Sequence, residues 1–134
     1  MIDWVIPHQL ARASRPGYVG GLREQVAPTS IDRWVDDVKN ARICSIICLL
    51  ADEHLSLYAA LPDGLINHYR QCGFQVEHIP VPDHQRPAVS KQQLAAIIAA
   101  ANRLPQPLLV HCSAGIDRTG LVVEQLRKRW MEAS

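Results

Sequence analysis

The chain has 134 residues, of which 48% are hydrophobic and 20% charged, with a formal net charge of +1. That length suits a single domain over residues 1–134 with one core, and so small a charge gives no electrostatic case for nucleic acid or an acidic membrane surface as a partner. The longest apolar runs, 43–51 and 94–101, are far too short to span a bilayer, and the first residues carry Asp3 and Pro7 without the basic stretch of a signal peptide.

Taken in order, 4–6 and 9–13 read as two short strands with Pro7 at their junction. Residues 14–21 form a Gly- and Pro-rich loop, whose Arg15 and Tyr18 either wall a substrate pocket or serve as turn residues. Thr29 or Ser30 is expected to cap a helix with Ile31, Trp34, Val35 and Val38 on its apolar face. Residues 42–50 are apolar nearly throughout, as a central parallel strand requires. Within them Cys44 and Cys48, four apart, project to one face of the strand and read as small core residues. Residues 51–57 leave that strand as a turn carrying Asp52 and Glu53, with Asp63 further on. Residues 64–72 then read as a helix with Leu65, Ile66 and Tyr69 on one face, stopped by Gly73.

Residues 75–81 alternate enough to be the next strand. Pro80, Pro82 and Pro87 exclude a helix from 80–87, which is therefore a loop. Ser90 and Gln93 form a capping-box pattern for a long helix, with Leu94, Ile97, Ile98, Ala101 and Leu104 inward and Pro105 at its end. Residues 107–110 are a buried strand and 121–131 a helix. Strands alternating with helices predict an α/β fold, a mainly parallel central sheet flanked by helices. Ligands bind beyond the carboxyl ends of the strands in such sheets. The segments 51–57, 81–88 and 111–118 all leave those ends, and should meet at one site.

The last of them, His111-Cys112-Ser113-Ala114-Gly115-Ile116-Asp117-Arg118-Thr119-Gly120, carries the chemistry. A strand, a tight loop and a helix N-terminus aim backbone N–H groups at an anion. In such a loop Cys112 would lie below a phosphorus atom, with the Arg118 fork gripping two oxygens. Thiolate is the reactive form of cysteine, and a helix N-terminus and a nearby cation both favour it. Thr119 can give its hydroxyl to the thiolate or to a departing group. His111, at the strand end, is expected to orient the loop. Gly115 allows a sharp turn, and Gly120 lets the helix pack close to the sheet. The four cysteines show no metal-type spacing, and neither do His8, His54, His68 and His78, so no metal or other cofactor is expected. A thiolate at Cys112 implies a reducing, cytoplasmic setting.

These residues match His-Cys-x5-Arg-Thr/Ser, and the chain resembles the protein tyrosine phosphatase superfamily, in particular its small dual-specificity-like members. The resemblance runs from about Trp4 to Trp130, with the loop and the Asp83 segment as its specific parts. It implies a compact phosphatase fold and hydrolysis of phosphomonoesters through a phosphocysteine. Cys112 would be the nucleophile, and residues 113–118 (Ser113, Ala114, Gly115, Ile116, Asp117 and Arg118) the phosphate-binding loop. A loop aspartate before the signature protonates the leaving group in that family, and Pro82-Asp83 matches it.

Asp117 is the rival acid, since myotubularin-like phosphoinositide phosphatases carry aspartate immediately before the loop arginine. Glu53 is a weaker candidate, and Gln85 a candidate for positioning the hydrolytic water. Phosphorylated protein or peptide, phosphotyrosine first, is the expected substrate. Phosphoinositide hydrolysis, sulfur transfer or arsenate reduction, and a catalytically weak phosphate-binding module are the alternatives. Family members usually continue into further helices after the signature helix. The shorter tail here suggests that exposed Leu121, Val122 or Trp130 makes a homodimer.

Overall fold

In the computed structural model, which describes residues 2–20 and 22–132, five strands form one sheet in the order β1-β2-β5-β3-β4. They are β1 (Asp3–Ile6), β2 (Leu10–Ala13), β3 (Ser45–Cys48), β4 (Gln75–His78) and β5 (Leu108–His111). β1 and β2 pair antiparallel, and every other neighbouring pair is parallel. The helices are α1 (Pro28–Asn40), α2 (Asp52–Leu55), α3 (Gly64–Gln71), α4 (Lys91–Arg103) and α5 (Asp117–Glu132), with a 3-10 turn over Ser56–Tyr58. This mostly parallel sheet flanked by helices is the fold expected from the sequence.

The period-2 alternation of the strands divides the core into two layers. Ile46, Cys48 and Leu109 face Ile31, Trp34, Leu65 and Tyr69 from α1 and α3. Ile47, Leu108 and Val110 face Ile97, Ala101, Val122 and Leu126 from α4 and α5. β3 and β5 are buried on both faces, which explains their near-continuous apolar sequence.

Several local expectations are corrected. Helix α1 begins at Pro28, with Ala27 extended before it and no side-chain cap, so neither Thr29 nor Ser30 caps it. Proline pre-sets the first helical φ and forces the preceding residue out of the helix, which starts the helix without a cap. The strand over 42–50 is shorter, because Arg42 takes φ 63° and pairing begins at Ser45. Cys44 therefore lies outside β3 and is exposed, while Cys48 is fully buried. The turn over 51–57 is the helix α2 followed by the 3-10 turn. The Ser90–Gln93 capping box is present with both of its hydrogen bonds.

Leu121, Val122 and Trp130 do not form an exposed apolar face. Val122 is buried, and the other two pack against the same core layer as α4, with Trp130 Nε1 donating to Asn102 Oδ1 at 3.0 Å. No helix among the described residues is long and apolar enough to cross a membrane.

Candidate active site

β5 lies between β2 and β3, so the loop that follows it emerges at the centre of the sheet edge. The segments after β2, β3 and β4 surround it. Cys112 to Ile116 connect His111 to the first turn of α5. Gly115 has φ +78°, and a Cβ there would lie 2.5 Å from the Ala13 carbonyl oxygen. Only glycine lets the loop turn this close to the end of β2. At Gly120, an added Cβ would meet the Arg12 guanidinium rather than the sheet itself.

Arginines anchor the loop from both sides. Arg12, from β2, donates through Nη2 to the carbonyls of Gly115 and Ile116. The Arg15 backbone N–H donates to Ser113 O at 2.8 Å, and its Nε donates to Ser113 Oγ at 3.2 Å. Arg118 is only 3% exposed. Its Nη1 donates to Val81 O at 2.7 Å, and its Nη2 is 3.7 Å from Asp83 Oδ1. The arginine that closes the loop is thereby the link to the segment after β4. Asp83 is partly exposed. Its Oδ1 accepts the His84 N–H at 3.1 Å, with His84 at φ 59°.

His111 is fully buried beneath the loop. Its Nδ1 is 3.0 Å from Cys112 O and its Nε2 is 2.9 Å from Tyr69 Oη. A carbonyl only accepts, so Nδ1 carries the proton and Nε2 accepts from the tyrosine. Burial pushes the imidazole down to about 4, outweighing the Cys112 carbonyl bond, which pulls it up. The ring is thus neutral near pH 7, and its hydrogen bonds and edge contacts with Trp34 and Tyr69 fix the base of the loop. The hydroxyl of Thr119 is buried without a hydrogen-bond partner, so the expected bond to the Cys112 sulfur is not made.

One open cavity of ≈ 360 Å³ brings together Cys112, Arg118, Asp83, Asp117, His54 and Arg15. Tyr18 also lines it, so the loop after β2 does supply a wall. Asp117 is exposed at the start of α5. Glu53 does not line this cavity and pairs instead with Arg23 at 3.5 Å. Gln85 is turned to α4, its Nε2 donating to Gln93 Oε1 at 2.8 Å, and it lines an adjoining cavity rather than the one at Cys112.

Sequence reasoning missed Arg12 and His54. An arginine on a short strand next to an edge looks like ordinary polar alternation. His54 sits on a four-residue helix too short to show a period. It is buried, its Nδ1 has no partner, and its pKa is lowered by burial first and by Arg118, Arg23 and Arg15 after that.

A cysteine-to-arginine loop at the centre of a parallel sheet edge, opposite an aspartate loop, defines the protein tyrosine and dual-specificity phosphatase class of fold. Kinase associated phosphatase, carrying serine in place of its catalytic-site cysteine, superimposes with a TM-score of 0.66 at 22% identity, over 90% of this chain and 65% of that one. The chain thus spans just under two thirds of that relative. A putative phosphatase (DUF442) from Shewanella putrefaciens CN-32 gives 0.70 at 20% identity, over 99% of this chain and 74% of that one. The core catalytic domain of the PP-IP phosphatase SIW14 from S. cerevisiae, in complex with citrate, gives 0.51 at 17% identity, over 93% and 69%. The chain belongs to the Tc-R-P family, described as "Polymorphic toxin system, DSP-PTPase phosphatase", whose model matches residues 28–127. No curated protein matches it significantly.

Proposed function

We propose that this protein hydrolyses phosphomonoesters on phosphorylated proteins, phosphotyrosine first, through a phosphocysteine on Cys112. The observation that carries this reading is the contact of Arg118 with Val81 O and Asp83 at the mouth of the Cys112 loop. It sets a cation, a carboxylic acid and a thiol around one cavity. Membership of a phosphatase family supports the reaction class.

In the first step the Cys112 sulfur attacks phosphorus, and the bond to the leaving oxygen breaks as Asp83 gives that oxygen a proton. In the second step water attacks phosphorus, Asp83 takes a proton from it, and the S–P bond breaks to release inorganic phosphate. Arg118 and the loop amides hold the charge of the transferred group. Residues 113–118 are the phosphate-binding loop in this scheme, His111 its support and Thr119 a hydroxyl donor to the sulfur once the site is filled. The thiol chemistry fits a reducing, cytoplasmic setting.

The test is turnover of phosphotyrosine, phosphoserine and phosphoinositide substrates by purified protein and by Cys112→Ser. The expected result is release of phosphate from phosphotyrosine peptides by the parent alone. Comparable release by the serine variant refutes the cysteine mechanism, and preferential phosphoinositide turnover moves the substrate to lipid.

A further inference from the structure

Arg15 is 3% exposed, yet no carboxylate pairs with it among the described residues. Its guanidinium donates to three neutral oxygens: Ser113 Oγ at 3.2 Å, Tyr58 Oη at 3.3 Å and Leu22 O at 3.2 Å. Tyr58 in turn donates its own hydrogen to Pro16 O at 2.6 Å, and the Tyr18 ring lies 5.6 Å from the guanidinium carbon. The fold therefore spends a 3-10 turn, a loop carbonyl and an aromatic ring on holding one buried cation in place. Burying a charge is costly unless an opposite charge completes it. Arg118, across the same cavity, already has Asp83, and Arg15 has no counterpart.

The direction of one hydrogen bond adds a second observation. Nε of an arginine bears a single hydrogen and can only donate, so Ser113 Oγ accepts there. The Ser113 hydroxyl hydrogen then remains to be given elsewhere. Ser113 follows Cys112 and lines the same cavity as Arg15.

Resting on the phosphatase reading above, we propose that Arg15 is a positioning residue of the phosphoryl site. It fixes Ser113 so that the serine hydroxyl donates into the cavity, and it supplies a second buried positive charge matched to a phosphomonoester dianion.

The test measures kcat and KM on p-nitrophenyl phosphate, inhibition by inorganic phosphate and thermal midpoints, for the parent, Arg15→Met, Arg15→Lys, Ser113→Ala and the Arg15→Met/Ser113→Ala pair. Arg15→Met and Ser113→Ala should each lower kcat/KM by roughly 10–100-fold, the usual worth of a hydrogen bond to a charged group. The pair should lose little more than Arg15→Met alone, because the two side chains act as one unit. Arg15→Lys should recover phosphate affinity to within a few-fold of the parent while kcat stays low. An ammonium restores the charge but cannot hold Ser113, Tyr58 and Leu22 together.

Additive losses in the pair, or Ser113→Ala within twofold of the parent, overturn the proposal. The serine variant keeps it testable if Arg15→Met does not fold. Should the parent hydrolyse no monoester, the phosphatase reading fails. Binding of phosphate measured by calorimetry on the same variants then decides Arg15 alone, with equal affinity in parent and Ser113→Ala counting against it.

Discussion

Replacing Asp83 with asparagine should move two measurable quantities in opposite directions. Its carboxylate stands 3.7 Å from Arg118 Nη2 and lines the cavity with Cys112. As general acid it should contribute roughly 10²–10⁴ to kcat, or about 3–5 kcal/mol of transition-state stabilisation. In its ionised form the same carboxylate would compete with a bound phosphate for Arg118 and repel it. Two unit charges about 4 Å apart interact by about 1 kcal/mol in water and about 4 kcal/mol near a protein surface. Asp83 is partly exposed, which favours the lower end, so relief of that repulsion should be about 1 kcal/mol and tighten phosphate binding roughly fivefold.

The loss in kcat should also depend on the leaving group. It should be large for phosphotyrosine, whose phenol has a pKa of ~10, and small for an ester of a strongly acidic phenol, which departs unprotonated. The assay is steady-state kinetics on two aryl phosphates of different leaving-group acidity, with phosphate as competitive inhibitor. Equal losses on both esters, or weaker phosphate inhibition in Asp83→Asn, refute the assignment. If Asp117→Asn instead shows the leaving-group dependence, the acid is Asp117.

Arg118→Lys should lose roughly 10²–10³ in kcat/KM, since one ammonium cannot both hold Val81 O and grip two phosphate oxygens; kinetics within threefold of the parent would remove Arg118 from the site. Gly115→Ala forces a side chain into a left-handed position 2.5 Å from the Ala13 carbonyl oxygen, costing roughly 1–3 kcal/mol for the backbone alone. A lowered thermal midpoint and at least tenfold weaker kcat/KM are expected, and an unchanged pair of values refutes the tight-turn argument. His111 is neutral when folded, with its pKa depressed from 6.5 to about 4 by burial, so the unfolded chain binds the extra proton first. Its contribution to stability is complete above pH 6.5 and is lost as pH falls towards 4, up to ~3 kcal/mol. Urea unfolding between pH 7 and 4.5 should show a shallower acid slope for His111→Asn than for the parent; parallel slopes would falsify that origin.

The elements that sequence periodicity marked well are those with a long repeat and a terminal signal. Helix α4 has both, with Ser90 and Gln93 at its start and Pro105 beyond its end. The loop from Cys112 to Arg118 was legible because a fixed spacing carries its geometry. Other features depend on contacts between distant segments, which leave no local trace. The apolar run at 42–50 does not reveal that β3 begins only at Ser45, after the left-handed turn at Arg42. Arg12 reaches Gly115 across 103 positions, and the burial of Arg15 depends on Tyr58 and Leu22. Thr119 is a subtler case. Its position in the motif was plain, yet its hydroxyl lacks the partner that the motif implies.

The position of β5 has a consequence for how the chain acquires its shape during synthesis. β2 and β3 have no contact as neighbours; each pairs with β5 alone on its side. Without Leu108–His111 the pairing of the sheet reduces to two separate two-stranded units, β1–β2 and β3–β4, and such pairs are marginal in water. The strand made last is the one that joins them, and Cys112 follows it directly. Closure of the sheet and assembly of the cavity are therefore one event, so a nascent or truncated chain should carry no partly formed cavity.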